Sequence, residues 1–528
     1  MYNNFIMKKH LKLEQLFFLI LILIINIAPV QAVEELEIKK NDVLSLQECA
    51  SIAINNSPLI KKYAYNLKIA SSNLGIAKSE YFPTIGVGAG VYQEYNTNKN
   101  YPNTSSYREL PSADAYLRQL LWNFGKTSSL IRMNHFYKIA AEYEFMDSIC
   151  STIYDVKIKY YNVLKTQGIL EIAKTNLEIN EQNVHRTKSF SKSDPKKLVD
   201  YIDSKVYLSE AQMQLTEAEN NYNLALADLG NSLYVAQSPD FTIKKIKTFN
   251  FKNSNIPKYL KNNNTILKTN TDTKIVNVAL KTQISKTEGT EIKELPFKHE
   301  EAYDLACKNS PDLWVLQTTV KALEQALIYT KREYFPEITG NVGYNYLNSR
   351  YYSNNDMNMY VKVSSAVNLK QLKYEIDKAS SNLDLGNNDV YNFKQDLYYG
   401  VKKCLLNVDK TEKQIAESQL KAEEALEDFN AVNEKYNQGK TDYIAFQAAR
   451  KNYNEAQMLY VDKLYDYNAS LANLEITMHY HLDNLHEEVE HAIHYHYKDI
   501  ISHLETSMHC EHKHQEESHP HADEDEEL

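Results

Sequence analysis

Apolar and small residues recur at alternating spacings of three and four over a long stretch in the second half of the chain. This heptad seam is typical of a helix that packs along other helices. An extra four-residue step between Leu397 and Val408 is a stutter, which relaxes supercoiling and straightens the helix. The pattern predicts one helix from about Gln371 to Tyr436, about 98 Å long at 1.5 Å per residue. The seam positions are Ile376, Ala379, Leu383, Gly386, Val390, Phe393, Leu397, Cys404, Val408, Thr411, Ile415, Ser418, Ala422, Ala425, Phe429, Val432 and Tyr436.

The same order of helix, break and returning helix occurs twice. After Asn437–Asp442 the helical pattern resumes from Tyr443 to Leu474. Earlier in the chain, a helix is predicted from about Lys126 to Lys188, with a break at Ser191–Pro195 and a return to about Leu233. We therefore expect two antiparallel helical hairpins, each about 100 Å long.

Two stretches have a period of two instead, which predicts β-strands. In the first, Ile85, Val87, Ala89 and Val91 alternate with glycines, and a second strand is predicted from about Ala113 to Phe124, after a loop over Asn96–Pro111. In the second, strands are predicted over Ile338–Tyr346 and Val361–Leu369, with a loop over Asn348–Asp356. One apolar and one polar face is expected of strands between lipid and water, although a hairpin in a soluble sandwich fits the same alternation.

A duplicated motif marks each change from helix to strand. Ser79-Glu-Tyr-Phe-Pro83 is followed 253 positions later by Arg332-Glu-Tyr-Phe-Pro336, and an Asn-Ser-Pro unit precedes each copy by about 25 residues. The unit at Asn56–Pro58 breaks a helical pattern that runs from about Ser45 to Ser79. Pro83 and Pro336 are the predicted junctions between helix and strand, and Gly125 closes the first hairpin. The aromatic residues of the motif either line a membrane edge or pack this junction; they are Tyr81, Phe82, Tyr334 and Phe335.

Composition favours long helices and excludes some functions. Of 12 prolines, none lies between Pro336 and Pro520, and proline inside a helix costs about 3 kcal/mol. The net charge of -10 argues against a general nucleic-acid binder. The five cysteines are widely scattered and include no CxxC motif, so they form no readable disulfide or zinc framework.

The chain divides into five predicted segments. Residues 1–32 have a basic flank, an apolar run and a small-residue exit, which predict a secretory signal peptide; the alternative is a membrane anchor, for which the run is short. The first repeat covers residues 33–237, an Asn-, Lys- and Thr-rich linker or insertion 238–298, the second repeat 299–482, and a His-rich tail with an acidic end 483–528.

Four strands per chain cannot close into a barrel, and an open sheet edge is not tolerated in lipid. If the strands cross a membrane, several copies must share one barrel. The strand count alone allows a dimer with eight strands or a trimer with twelve.

The sequence resembles the TolC-like outer-membrane efflux family over about Leu46–Leu474. The resemblance rests on the paired Asn-Ser-Pro and Tyr-Phe-Pro units, on Leu117–Gly125, on Tyr160–Leu164, and on Tyr436-Asn-Gln-Gly439 before a returning helix. It implies an α+β membrane protein, internally duplicated, whose homotrimer forms a twelve-stranded β-barrel continuous with a long α-helical coiled-coil tunnel in the periplasm. It further implies contact with outer-membrane lipid in a Gram-negative bacterium, a periplasmic adaptor protein and an inner-membrane pump of the RND or ABC type. The chain would then be the exit duct of a tripartite efflux or type I secretion system.

The family resemblance places the tunnel entrance at the two hairpin turns. The corresponding residues are Asp194, Asp200, Tyr436, Gly439 and Asp442. Some members carry an acidic ring at positions that are Ala445 and Ala448 here. Asp442 or Asp200 would have to substitute for it, although Asp442 also suits the start of the returning helix as its cap.

No motif supports catalysis, and no cofactor is expected. Gly86-Val-Gly88-Ala-Gly90 follows a helix and enters a strand, the wrong context for a nucleotide-binding loop. His486 and His491 are five residues apart, whereas the zinc-protease helix requires four. A trimeric helical-stalk surface protein such as an adhesin is the alternative function, but it would not need strands within each repeat.

The tail has its own candidate chemistry. Twelve of the 16 histidines fall between His479 and His521, and such tracts bind Zn, Cu or Ni. The alternative is a solvated tail whose charge changes with pH. The candidate ligands are His491, His494, His496, His509, His512, His514, His519 and His521.

Overall fold

The computed structural model describes residues 42–97, 105–193, 198–235, 241–244, 299–349 and 352–479. The predictions for the signal peptide and for the histidines of the tail beyond His479 lie outside these residues. So do those for the linker apart from residues 241–244.

The described chain is mostly helical, with a four-stranded sheet. In the first half, the order is β1 (Val43–Leu44), α1 (Leu46–Asn56), α2 (Pro58–Ser79), β2 (Thr84–Thr97), β3 (Ser105–Trp122), α3 (Lys126–Ser193), α4 (Leu198–Ser232) and β4 (Thr242–Ile243). In the second half it is α5 (His299–Asn309), α6 (Pro311–Lys331), a 3-10 turn (Arg332–Tyr334), β5 (Glu337–Ser349), β6 (Tyr352–Ser364), α7 (Leu369–Asn437) and α8 (Tyr443–Met478). Two short helices, a hairpin, a very long helix and a shorter returning helix thus occur twice.

The Asn-Ser-Pro units start the second short helix of each half. Ser57 and Ser310 are N-caps whose hydroxyls accept hydrogen bonds from the backbone N–H groups of Ile60 and Leu313. The following proline occupies the first helical turn, where its missing N–H is not needed. The predicted break within the first helical stretch is confirmed.

The long helices are as predicted, but the hairpins are shorter. Helix α3 has 68 residues and α7 has 69, about 100 Å each. Their returning partners α4 and α8 have only 35 and 36 residues, about 53 Å. The prediction of two full-length hairpins was therefore wrong. The half of α3 near the sheet packs instead against α2 and α6, and the corresponding half of α7 packs against α6. These contacts cover the part of each long helix that the returning helices are too short to reach.

The predicted seam of α7 is largely buried from Leu397 to Phe429 and half-buried from Ile376 to Phe393. Val408, Ile415 and Phe429 are buried, and Val401, also buried, occupies the extra four-residue step. The small seam residues do allow close approach: a Cβ added to Gly386 would lie 2.9 Å from Leu323 Cδ1 on α6. The helix begins at Leu369, capped by Asn368, so the predicted strand over Val361–Leu369 was too long at its end.

The sheet is antiparallel in the order β2-β3-β5-β6. Strands β2 and β3 pair from Thr84↔Arg118 to Thr97↔Ser105, and β5 and β6 from Glu337↔Ser364 to Ser349↔Tyr352. The hairpins thus extend into the predicted loops over Asn96–Pro111 and Asn348–Asp356, which were placed as loops because their residues are polar. Strand pairing satisfies the backbone there whatever the side chains are.

A compact core lies between α1, α3 and the end of α4. Strand β1 pairs in parallel with β4 beside it, and the fully buried Tyr160 of α3 donates to the backbone oxygen of Lys244 just beyond β4.

Among the described helices, none has the length and the hydropathy that a membrane span requires.

Candidate functional site

One face of the sheet is apolar across all four strands. Residues that pair across neighbouring strands lie on the same face of the sheet. Ala115 of β3 pairs with Tyr344 of β5, which pairs with Met357 of β6, so these three side chains form one row on this face. Ile85 and Met359 on this face are 74% and 75% exposed. A wide, exposed apolar surface marks contact with another protein or with lipid. Its other exposed large members include Val87, Val91, Leu117, Val361 and Val363.

The opposite face is polar and depends on glycine. A Cβ added to Gly86 would lie 2.3 Å from the ring of Tyr116, and one added to Gly88 would lie 2.6 Å from Asp114 Oδ1. The missing side chains of β2 thus make room for large polar ones on β3. Polar on one side and apolar on the other is the pattern of a strand between water and lipid.

The sheet has two open edges in a single chain. Strands β2 and β6 each pair on one side only, and each carries a long row of unpaired backbone groups, which favours pairing with another strand.

The predicted junction residues meet where the helices join the sheet. Arg332 Nη1 donates to Gly125 O and to Ser129 Oγ, both at 2.7 Å, which ties the end of α6 to the start of α3. Gly125 needs its glycine because it has a φ of 79° and its hypothetical Cβ would lie 2.7 Å from Arg332 Nη1. Pro83 and Pro336 directly precede β2 and β5. The role of Arg332 was missed from the sequence because the first repeat has Ser79 at that position.

The structure places one aromatic residue of the motif in the junction between helix and sheet. Phe335 stacks on Phe124 with ring centroids 5.0 Å apart and so packs the junction. Tyr81, Phe82 and Tyr334 remain largely exposed, so for them the membrane-edge role stays a prediction.

The turn between α7 and α8 is built by two sequence features. Gly439 adopts a left-handed φ of 68°, and the N–H groups of Gly439 and Lys440 donate to Tyr436 O and Lys435 O at 3.0 and 2.9 Å, which is a Schellman cap. Asp442 then caps α8 by accepting from Ala445 N at 2.8 Å. The capping interpretation of Asp442 is therefore confirmed, whereas a role in ion selection is untested.

The tips of the two helical hairpins lie side by side. Arg186 of α3 donates to Asn437 Oδ1 at 2.7 Å and lies 5.7 Å from the ring centroid of Tyr436. Burial raises the pKa of Tyr436; nearby Asp200 raises it further and Arg186 lowers it. The structure thus brings Asp200, Tyr436, Gly439 and Asp442 to the same end of the molecule. Asp194 lies outside the described residues.

The ring of Tyr436 also stacks inward. It lies on Phe446 with centroids 4.9 Å apart, and Phe429 and Tyr453 continue the aromatic cluster. Tyr436 therefore links the surface contact with Arg186 to the core of the second hairpin.

A polar layer crosses the bundle farther from the tip. Arg450 of α8 is only 3% exposed, and its guanidinium donates to Asn176 O and Oδ1 at 2.9 Å and to Asn180 Oδ1 at 3.2 Å on α3. Burial lowers the pKa of Arg450 to about 10. Sequence reasoning missed this layer, since nothing in the pattern distinguishes Arg450 from a solvated residue.

Comparison with known proteins identifies the class of protein. The sequence profile of the outer membrane efflux protein family matches residues 49–233 and 302–477, so the chain belongs to this family. The resemblance inferred from the sequence is confirmed. Members of the family are channels rather than enzymes.

Individual relatives are distant. The outer membrane protein TolC of Vibrio cholerae is 23% identical over 174 residues, which are 33% of this chain and 40% of TolC. The matched region thus spans well under two thirds of that relative.

The fold extends further than the sequence similarity. The CmeC outer membrane channel of Campylobacter jejuni superimposes with a TM-score of 0.65 at 13% identity, covering 85% of this chain and 89% of CmeC. The outer membrane protein VceC of Vibrio cholerae gives 0.64 at 11% identity over 83% and 97%. The open state of the MtrE outer membrane channel of Neisseria gonorrhoeae gives 0.63 at 13% identity over 85% and 96%.

Proposed function

We propose that three copies of this chain form an exit duct of a Gram-negative outer membrane, through which an inner-membrane pump exports its cargo. The observation that carries the proposal is the four-stranded sheet with an apolar face and two open edges, joined directly to helices about 100 Å long. In this arrangement the signal peptide is removed and the helices lie in the periplasm.

The open edges argue for sharing one sheet among copies. Unpaired backbone groups are too costly in lipid, and pairing β6 of one copy with β2 of the next removes both edges. Two copies with eight strands and three copies with twelve strands would each form a closed barrel. The family resemblance favours twelve strands and therefore a trimer.

The helices argue for a tube rather than an isolated bundle. Helix α7 exposes large apolar residues away from its intrachain seam, among them Tyr374, Leu385, Tyr391 and Leu406. A neighbouring copy would cover such residues. The polar sheet face would then continue into the helical lumen.

The hairpin tips are the proposed entrance and the surface that meets a periplasmic adaptor. They lie at the end of the helices opposite to the sheet, where a pump in the inner membrane would deliver its cargo. Asp200, Tyr436, Gly439 and Asp442 belong to this end, and Asp194 is proposed to join them. A pump of the RND or ABC type would supply the energy, so the duct itself needs no catalytic group.

Reconstitution tests the duct directly. The full chain, purified from outer membranes in detergent, should have the mass of three copies by light scattering and should produce discrete conductance steps in planar bilayers. A mass of two copies would replace the trimer by an eight-stranded dimer. A monomer without conductance would contradict the duct.

Replacing Arg186 by Ala should increase the open time of the channel. The change removes the hydrogen bond to Asn437 and a cation–π contact worth about 0.5–1 kcal/mol at an exposed site, both of which hold the two hairpin tips together. Lys440→Ala removes the same charge at the same tip. Among the described residues, no hydrogen bond or ion pair of the Lys440 side chain joins the hairpins, so this variant should leave the gating unchanged. Single-channel recording measures both; equal open fractions in Arg186→Ala and wild type would contradict a holding role.

A further inference from the structure

Three side chains from different helices converge far from the hairpin tips. Asp147 of α3, Asp312 in the first turn of α6 and His479 at the end of α8 each offer one ligand atom, and these atoms lie within 4.8 Å of one another. They join both halves of the duplicated chain. Asp147 and His479 are half-buried, whereas Asp312 is exposed and leaves the cluster open to solvent.

Among the described residues, no lysine or arginine forms a salt bridge with either carboxylate. Burial, with the neighbouring Asp312 as a second cause, raises the pKa of Asp147 to about 6. Although Asp312 is exposed as a residue, partial desolvation of its carboxyl group raises its pKa as well. The nearby Lys62 of α2 lies close to Glu144, where its positive charge partly offsets the rise in the pKa of Glu144 that burial and Asp312 cause. Adjacent carboxylates that repel each other are stabilised by a bound cation.

The backbone of His479 holds the imidazole at this position. His479 ends α8 with a left-handed φ of 46°, a conformation that costs a residue with a side chain about 1–2 kcal/mol. Its N–H is bonded to the carbonyl groups of Glu475 and Ile476. The turn therefore fixes the point at which the chain leaves α8, next to Asp147 and Asp312.

We propose that Asp147, Asp312 and His479 bind one divalent transition-metal ion of the Zn²⁺ type, which clips α3, α6 and α8 together. Two carboxylate oxygens and one imidazole nitrogen are a ligand set that Zn²⁺ accepts, with a fourth position for water. Tetrahedral ligands at about 2.0–2.2 Å from zinc are about 3.3 Å apart, so the side chains need to converge by at most about 1.5 Å. The clip is independent of the His-rich tail and of the transport role.

Zinc-dependent stability separates this site from the tail. An ion that binds only the folded state raises the unfolding midpoint, whereas histidines outside a folded site produce no such shift. For the metal-stripped full chain in detergent, we expect the thermal midpoint by circular dichroism to rise by about 3 °C at a hundredfold excess of Zn²⁺ over its dissociation constant. Asp147→Asn and Asp312→Asn should abolish the shift. Both variants should fold well, because they relieve a repulsion.

Matched variants make the result specific. Asp155→Asn changes an aspartate of α3 that pairs with Lys159 and should keep the shift, as should the triple replacement His491→Ala, His494→Ala and His496→Ala. A shift that persists in both Asp147→Asn and Asp312→Asn would overturn the proposal, as would no shift in the wild type up to 1 mM Zn²⁺. A midpoint that depends on pH but not on zinc would instead indicate protonated His479 as the partner of the carboxylates, and would also overturn it.

A fluorescent residue beside the cluster gives a second readout. Trp314 lies two positions after Asp312 and contacts Tyr143, one helical turn before Asp147, with centroids 5.1 Å apart. In a Trp122→Phe background, in which Trp314 is the sole tryptophan, Co²⁺ should quench its emission with saturation. Asp147→Asn should raise the half-saturating concentration at least about tenfold; an unchanged concentration would count against the site.

Discussion

Glu475→Gln is expected to destabilise the helical body by about 3–5 kcal/mol. Glu475 of α8 and Lys157 of α3 form an ion pair whose side chains are only 10% and 6% exposed. The amide cannot balance the ammonium group, so the buried Lys157 would lose its carboxylate partner on α8. Tyr154 and Asn473, hydrogen-bonded to each other across the same two helices, flank the pair and limit rearrangement. The urea midpoint of the purified protein, followed by circular dichroism, measures the loss.

A double variant distinguishes loss of the pair from loss of one partner. Lys157→Met with Glu475→Met removes both charges and keeps similar volume, so it should recover most of the lost stability. Asp409→Asn breaks an exposed pair with Lys413 on α7 and should leave the midpoint unchanged, because solvent screens such pairs. A single variant as stable as the double one would show that the buried charge is not the cause.

The long helices were predictable because their burial repeats along the chain. Every residue of the α7 seam contributes to the same period, so a few positions that depart from the pattern do not change the prediction of a helix. The stutter in the period coincides with the buried Val401. The residue bounds predicted for α4 and α8 were also close to those observed, although the predicted hairpin length of about 100 Å was not. The period does not show which helix packs on the seam. The packing of α2 and α6 on the half of α3 near the sheet, and of α6 on the corresponding half of α7, was therefore missed.

The strands were found but their ends were not. Alternation predicted where β2 and β5 begin, whereas the polar stretches that open β3 and β6, around Ser105 and Tyr352, were interpreted as loops. Polar residues near the tips of β-hairpins do not interrupt backbone pairing, so composition underestimates strand length there. The register was needed to show that all four apolar faces coincide.

Contacts between distant residues account for what the sequence did not show at the candidate site. Gly439 and Asp442 act through neighbours three to five residues away and are visible in the sequence. Arg186 and Asn437 are 251 positions apart, and Arg450 and Asn176 are 274 apart. Asp147, Asp312 and His479 are likewise brought together only by the packing of three helices. Without the fold, such residues resemble ordinary polar positions of helices.

Met359→Arg is expected to prevent assembly in the membrane, whereas Asn358→Arg is not. Met359 lies near the middle of β6 on the apolar face, where it pairs with Val342 of β5, and Asn358 pairs with Gly343 on the polar face. Arginine facing lipid near the bilayer midplane costs about 2–4 kcal/mol in a β-barrel, and three copies would sum to about 6–12 kcal/mol. Arginine at the neighbouring position would face water and cost little. Outer-membrane fractionation followed by gel analysis of the unheated oligomer measures the difference. Equal amounts of oligomer from both variants would mean that the apolar face of this sheet does not meet lipid.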